Sequence, residues 1–107
     1  MIVEYHPEAR AELIRGRDYY ERCEEGLGYD FSVEVLSAVQ KIVDYPEAWP
    51  AGEGDVRRYL MNRFPYGILY SIEADRIFIV AVMDLHREPD YWKDRAPNQG
   101  PENRAEE

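Results

Sequence analysis

Cysteine occurs once in the chain, at Cys23, and histidine only at His6 and His86. A lone cysteine excludes an internal disulfide and any cysteine-based metal site. Two histidines without paired spacing do not make a metal site either, so neither metal nor cofactor is expected. Long apolar runs are missing too: nothing approaches the roughly 20 apolar residues that span a bilayer. Met1-Ile2-Val3-Glu4 has no basic start and no apolar stretch of the kind a signal peptide carries. A cytoplasmic protein with no membrane partner is expected. Gly52-Glu53-Gly54 is followed by a strand-like run rather than by the helix that phosphate-binding loops require, which removes the common nucleotide-binding motifs.

Basic residues are also in deficit, with a net charge of −9. That balance argues against a generally phosphate-binding surface, which needs clustered Lys and Arg. The distribution is uneven. Residues 1–54 hold 12 acids against 5 bases, residues 55–95 hold 7 against 7, and residues 96–107 hold 3 against 1. The neutral stretch contains Arg57, Arg58, Arg63, Arg76, Arg87, Lys93 and Arg95, which form a positive patch only if the strands gather them on one face.

What the chain does have is the material of one small core: 107 residues, 45% hydrophobic, fit a single domain. Ile2, Val3 and Tyr5 predict a short opening strand, and Pro7 followed by Glu8 predicts the first turn of a helix. Ala9, Leu13, Gly16 and Tyr20 fall at helical spacing. Gly26 and Gly28 mark a turn. Phe31, Val35, Ala38, Val39 and Ile42 then define a second helix, ended by Tyr45-Pro46. Residues 56–62, 66–72 and 76–82 read as three antiparallel strands. In the last of these, Ile77, Ile79, Ala81 and Met83 alternate with Phe78, Val80 and Val82, so it should be central. Residues 90–95 predict a final helical turn, and residues 96–107 a polar, disordered tail after a domain of residues 1–95. The fold class is α+β, with an N-terminal strand and a two-helix hairpin on one face of a small, mainly antiparallel sheet.

Three pieces of the sequence stand together in a telling order. They are Arg57-Arg58, the strand Arg63-Phe64-Pro65-Tyr66-Gly67-Ile68-Leu69-Tyr70, and the closing His86-Arg87-Glu88-Pro89-Asp90-Tyr91-Trp92-Lys93-Asp94-Arg95. With the two-helix front half, the chain over about residues 2–95 resembles the RelE/ParE superfamily, the toxin components of type II toxin–antitoxin systems. The resemblance implies a helical hairpin on a twisted sheet with a groove on the sheet's open side. It also implies a cognate antitoxin that wraps the helices and covers that groove. Two activities belong to this superfamily: ParE-like members bind DNA gyrase, and RelE-like members cut mRNA on the ribosome without a metal.

Metal-free RNA cleavage needs a base for the 2′-OH, an acid for the leaving oxygen and fixed positive charge on the phosphate. His86, Arg87 and Tyr91 are the catalytic candidates under the RelE-like reading. Arg58, Arg63 and Arg87 are the candidate phosphate or target clamp, with Trp92 or Tyr91 as a stacking or anchoring ring. Each also has a structural reading. His86 is a surface or capping histidine, one of Arg57 and Arg58 pairs with a carboxylate such as Glu73, and Tyr91 and Trp92 close the sheet edge. Tyr66, Tyr70 and Phe78 pack under the helices, and the helical acids lie on the solvated face.

Gyrase is the expected target, because ribosome-cutting members carry several lysines on the strands and this chain has none between Lys41 and Lys93. The alternatives are a ribosome-associated mRNA endoribonuclease and a non-toxic protein-binding module on the same fold. Arg58, Arg63 and Arg87 are expected to converge with His86 and Tyr91 on one open face, whereas arginines scattered over both sheet faces would favour the non-toxic module. Glu21, Glu24, Glu25, Glu34 and Asp44 lie on the helical half. An antitoxin segment that is apolar with added Lys or Arg is the expected complement.

Overall fold

Strand β1 (Ile2–Tyr5) runs directly into helix α1 (Pro7–Cys23). Pro7 stands where a helix has no use for an N–H, and the His6 imidazole accepts the free backbone N–H of Glu8 at 3.0 Å. A computed structural model describes residues 1–96 of the chain. The tail expected from residue 96 onward therefore lies, apart from Ala96, outside the described residues. Among the described residues no helix is long and apolar enough to cross a membrane.

Helix α2 (Leu27–Asp44) folds back on α1 through a tight turn whose Gly26 takes a φ of +88°, a conformation glycine adopts without steric cost. Gly28 lies inside α2, and a Cβ there would stand 2.5 Å from the Arg17 carbonyl oxygen, so the close approach of the two helices requires glycine. The carboxylate of Glu21 accepts the N–H groups of Gly26 and Gly28, each at 3.0 Å, and so caps the start of α2. Phe31, Val35, Ala38, Val39 and Ile42 are buried, which makes α2 the main apolar face of the hairpin.

The sheet has the order β1-β4-β3-β2, with β2 at Arg57–Leu60, β3 at Tyr66–Glu73 and β4 at Arg76–Asp84. β1 is parallel to β4, and the other pairs are antiparallel. β4 is thus internal, as its apolar character on both faces predicts. Its alternation, however, breaks in the middle. Leu69 pairs with Ala81 and Tyr70 with Ile79, leaving Val80 as an extra residue, a β-bulge. Ile77 and Ile79 face the helices before the bulge and Val82 does so after it. Ala81 and Met83 lie with Val80 on the other face instead of sharing a side with Ile77 and Ile79.

The far face of the sheet is not left open. Trp92, 8% exposed, and Ala96 pack on it against Val56, Leu69, Val80, Ala81 and Met83. The final helical turn is a short 3₁₀ segment, Lys93–Arg95, that lays the C-terminal stretch across the sheet. Phe78 packs with this layer rather than under the helices, whereas Tyr66 and Tyr70 do belong to the helix-side core.

Candidate functional site

The C-terminal stretch divides the candidate residues between two cavities. Tyr91 lines the first, of about 540 Å³, with Glu12, Arg15, Tyr19, Arg22, Asp84, His86 and Arg87. Trp92, the next residue, lines the second, of about 620 Å³, with Trp49, Pro50, Arg58, Leu60, Leu69 and Pro89.

The expected convergence of Arg58, Arg63 and Arg87 does not form. Arg58 lies in the second cavity and Arg87 in the first. Arg63 is drawn to α2, where its guanidinium pairs with Asp30 at 3.2 Å and its N–H donates to Glu34 at 3.1 Å. The physical reason is the strand period: Arg58 shares the far face of the sheet with its partner Leu69, while Arg63 sits in the turn beside the helix-side core. Nor does Arg57 pair with Glu73. It donates to the carbonyl oxygens of Trp49 at 2.6 Å and Glu47 at 3.4 Å, and Glu73 stands 3.8 Å from Arg76.

In the first cavity His86 is 79% exposed and its Nδ1 lies 2.9 Å from Asp84 Oδ1, an oxygen that also accepts the His86 backbone N–H. This leaves Nε2 as the free ring nitrogen. The guanidinium of Arg87 stacks 4.1 Å from the centre of the Tyr91 ring, and Arg95 approaches the same ring at 4.9 Å. Burial and a hydrogen bond to Glu12 raise the Tyr91 phenol well above its ordinary pKa. Its proton is committed to the Glu12 carboxylate at 2.7 Å, which makes Tyr91 a structural hinge of the wall rather than a ready acid or base.

Glu12 is the residue that sequence reasoning missed. Only 7% exposed, it accepts from the backbone N–H of Val82 at 3.0 Å and pairs with Arg95 at 3.0 Å, as well as accepting from Tyr91. The available signal was its position: Ala9, Glu12 and Gly16 recur at three- and four-residue spacing on the buried stripe of α1. Other helical acids expected to be solvated are also used, Glu21 as a helix cap and Glu34 as acceptor for the N–H groups of Asn62 and Arg63. Arg15, Tyr19 and Arg22, from the same helix, were likewise not singled out although they line the first cavity.

The second cavity is of different character. Trp92 is a buried wall, its indole N–H donating to the Pro89 carbonyl at 2.7 Å, not an exposed anchor. Trp49 meets Tyr59 edge-on at 4.9 Å between ring centres. Leu60, 53% exposed, and Arg58 stand at the accessible rim of β2. The cavity is thus mainly aromatic and aliphatic, with one guanidinium, one carboxylate, Glu53, and no histidine.

A family model described as the ParE toxin of the type II toxin–antitoxin system, parDE, matches residues 3–91. The fold is similar to that of a solved chain from the chromosomal ParDE TA system of P. aeruginosa, with a TM-score of 0.67 at 20% identity, covering 79% of this chain and 96% of that one. No curated protein matches the sequence.

Proposed function

The chain belongs to the ParE toxin family of type II toxin–antitoxin systems, and from that premise we propose that it arrests growth by binding DNA gyrase through the rim of the second cavity, held in check by a cognate antitoxin. The observation that carries the reading is the make-up of that rim. Arg58 and the exposed Leu60 stand over a floor of Trp49, Trp92, Pro50 and Pro89, the aromatic, aliphatic and arginine composition in which interface energy concentrates. It holds no histidine, and its one carboxylate, Glu53, is paired with Lys93 at 2.8 Å. The RelE-like phosphate clamp is weakened at the same time, since Arg58, Arg63 and Arg87 are dispersed and the Tyr91 proton is engaged.

The test is induced expression combined with a supercoiling assay on purified gyrase. The reading expects double-strand breaks, an SOS response and inhibited gyrase, relieved by Arg58→Ala with Leu60→Ala. Growth arrest with intact gyrase activity and cleaved transcripts would overturn it. Unimpaired growth would leave the non-toxic binding module standing instead.

One observation favours a second reading, an mRNA endoribonuclease. His86 is oriented by Asp84 with Nε2 free, beside Arg87 in one cavity, the arrangement of a general base held by a carboxylate. Loss of transcript cleavage in His86→Ala, with the fold intact, is the outcome that would select it.

A further inference from the structure

Arg15, Tyr19 and Arg22 are spaced by four and three residues on α1 and so share one face of the helix. All three line the first cavity, which also holds Arg87 and His86. Three guanidinium groups around one concavity are notable in a chain of net charge −9. The carboxylates of that cavity are already engaged: Glu12 by Arg95, Tyr91 and the Val82 N–H, and Asp84 by the ring and backbone of His86. Arg15 and Arg22 form no ion pair among the described residues, and Arg87 rests on the Tyr91 ring. The acids of the helical half are, by contrast, largely consumed. Glu21 and Glu34 bind backbone N–H groups, Asp30 pairs with Arg63, and Asp44 accepts from Gln40. The uncompensated charge at this opening is therefore positive.

We propose that the cavity between α1 and the end of β4 is a docking site for an acidic peptide segment of a protein partner, taking an Asp or Glu carboxylate among Arg15, Arg22 and Arg87, with Tyr19 against the flanking peptide. Guanidinium groups match a carboxylate in shape and charge. A sparse peptide carboxylate suits the site better than a nucleic-acid backbone. The field of the whole chain repels every charge of a polyanion, whereas a single carboxylate feels mainly the local cations within a Debye length. The assignment reverses the expectation of a basic partner segment, because three of the five acids behind that expectation, Glu21, Glu34 and Asp44, hold partners within the fold, and Glu24 and Glu25 do not line this cavity. It goes beyond the gyrase reading and does not depend on it.

Three fluorescein-labelled probes are titrated with the full chain at about 25 mM salt, where charge pairing is little screened. One is a short capped peptide with two glutamates separated by leucine, the second its glutamine counterpart, and the third a deoxythymidine oligonucleotide. The glutamate peptide is expected to bind saturably and the glutamine peptide at least about tenfold more weakly. Arg15→Gln and Arg22→Gln should each weaken binding about fivefold, as for a rim charge pair, and Arg63→Gln should leave it unchanged. Amide signals of Tyr19, Arg22, His86 and Arg87 should shift on binding. Because Arg15 and Arg22 are exposed, an unchanged thermal melt verifies that the variants fold. Equal binding of the two peptides, indifference to both arginine variants, absence of saturable binding, or an oligonucleotide held more tightly through the same arginines would each overturn the proposal.

Discussion

The phenolic oxygen of Tyr91 stands 2.7 Å from the carboxylate of Glu12, across a sequence separation of 79 residues. β1 stops pairing with β4 at Ile79, so the N–H of Val82, farther along that edge, has no strand to bond. Glu12 supplies the missing acceptor, and Arg95, bonded to Glu12 at 3.0 Å, donates to the carbonyl of the bulged Val80 at 3.3 Å. One carboxylate thereby joins α1, the open edge of β4 and the C-terminal stretch that separates the two cavities.

Removing one member of this buried pair should be costly. Glu12→Leu strands the Arg95 guanidinium and the Val82 N–H, and is expected to lower stability by about 3–5 kcal/mol. Arg95→Leu should cost a similar amount, and the double variant less than the sum of the two. Urea unfolding of the four proteins tests this, and additive losses would show that the groups act independently.

Gly28→Ala should destabilise the helical hairpin, because the new Cβ would stand 2.5 Å from the backbone carbonyl oxygen of Arg17. Overpacking against a backbone atom costs about 1–3 kcal/mol. Gly52→Ala, whose Cβ would meet nothing closer than 3.5 Å, is the control. Equal melting temperatures for the two variants would contradict the steric account.

Alkaline stability should depend on Tyr66. Burial, aided by the nearby Asp84, raises its phenol from 10.0 to about 12. The unfolded chain ionises this group first, so its contribution is complete below about pH 10 and is lost as pH rises from there through about 12. Tyr66→Phe should therefore show a shallower fall in stability across that window, measured by denaturant unfolding at a series of pH values. An unchanged slope would exclude Tyr66 as a source of the effect.

The two toxic readings separate by single substitutions at opposite ends of the far strands. Arg58→Ala should raise the toxin concentration needed for gyrase inhibition by about tenfold, in the range of an interface anchor, with no change in melting temperature. His86→Ala should leave inhibition unaltered, since its ring is exposed in the other cavity. If His86→Ala alone abolishes growth arrest, the binding reading is wrong.

The order of elements and the central place of β4 were legible without coordinates, because they rest on local rules: Pro7 starts a helix, Pro46 ends one, and an apolar period of 3.6 or 2 marks which faces are buried. The family resemblance was legible for the same reason, being carried by short contiguous pieces such as Phe64-Pro65-Tyr66-Gly67. The site was not, since its geometry depends on where distant segments meet. The bulge at Val80 changes which side chains of β4 face the helices, and no periodicity reveals it. The turn that places Arg63 against Asp30 separates it from Arg58, although the sequence by itself groups both in one clamp. Glu12 appeared as one more helical acid, and its burial became favourable only through Arg95, Tyr91 and Val82, three partners brought to it by tertiary contacts. Sequence alone determined which residues are apolar, charged or conformationally restricted. The tertiary structure decided which charges neutralise one another, because buried ionic groups persist only where partners from other segments complete their hydrogen bonds.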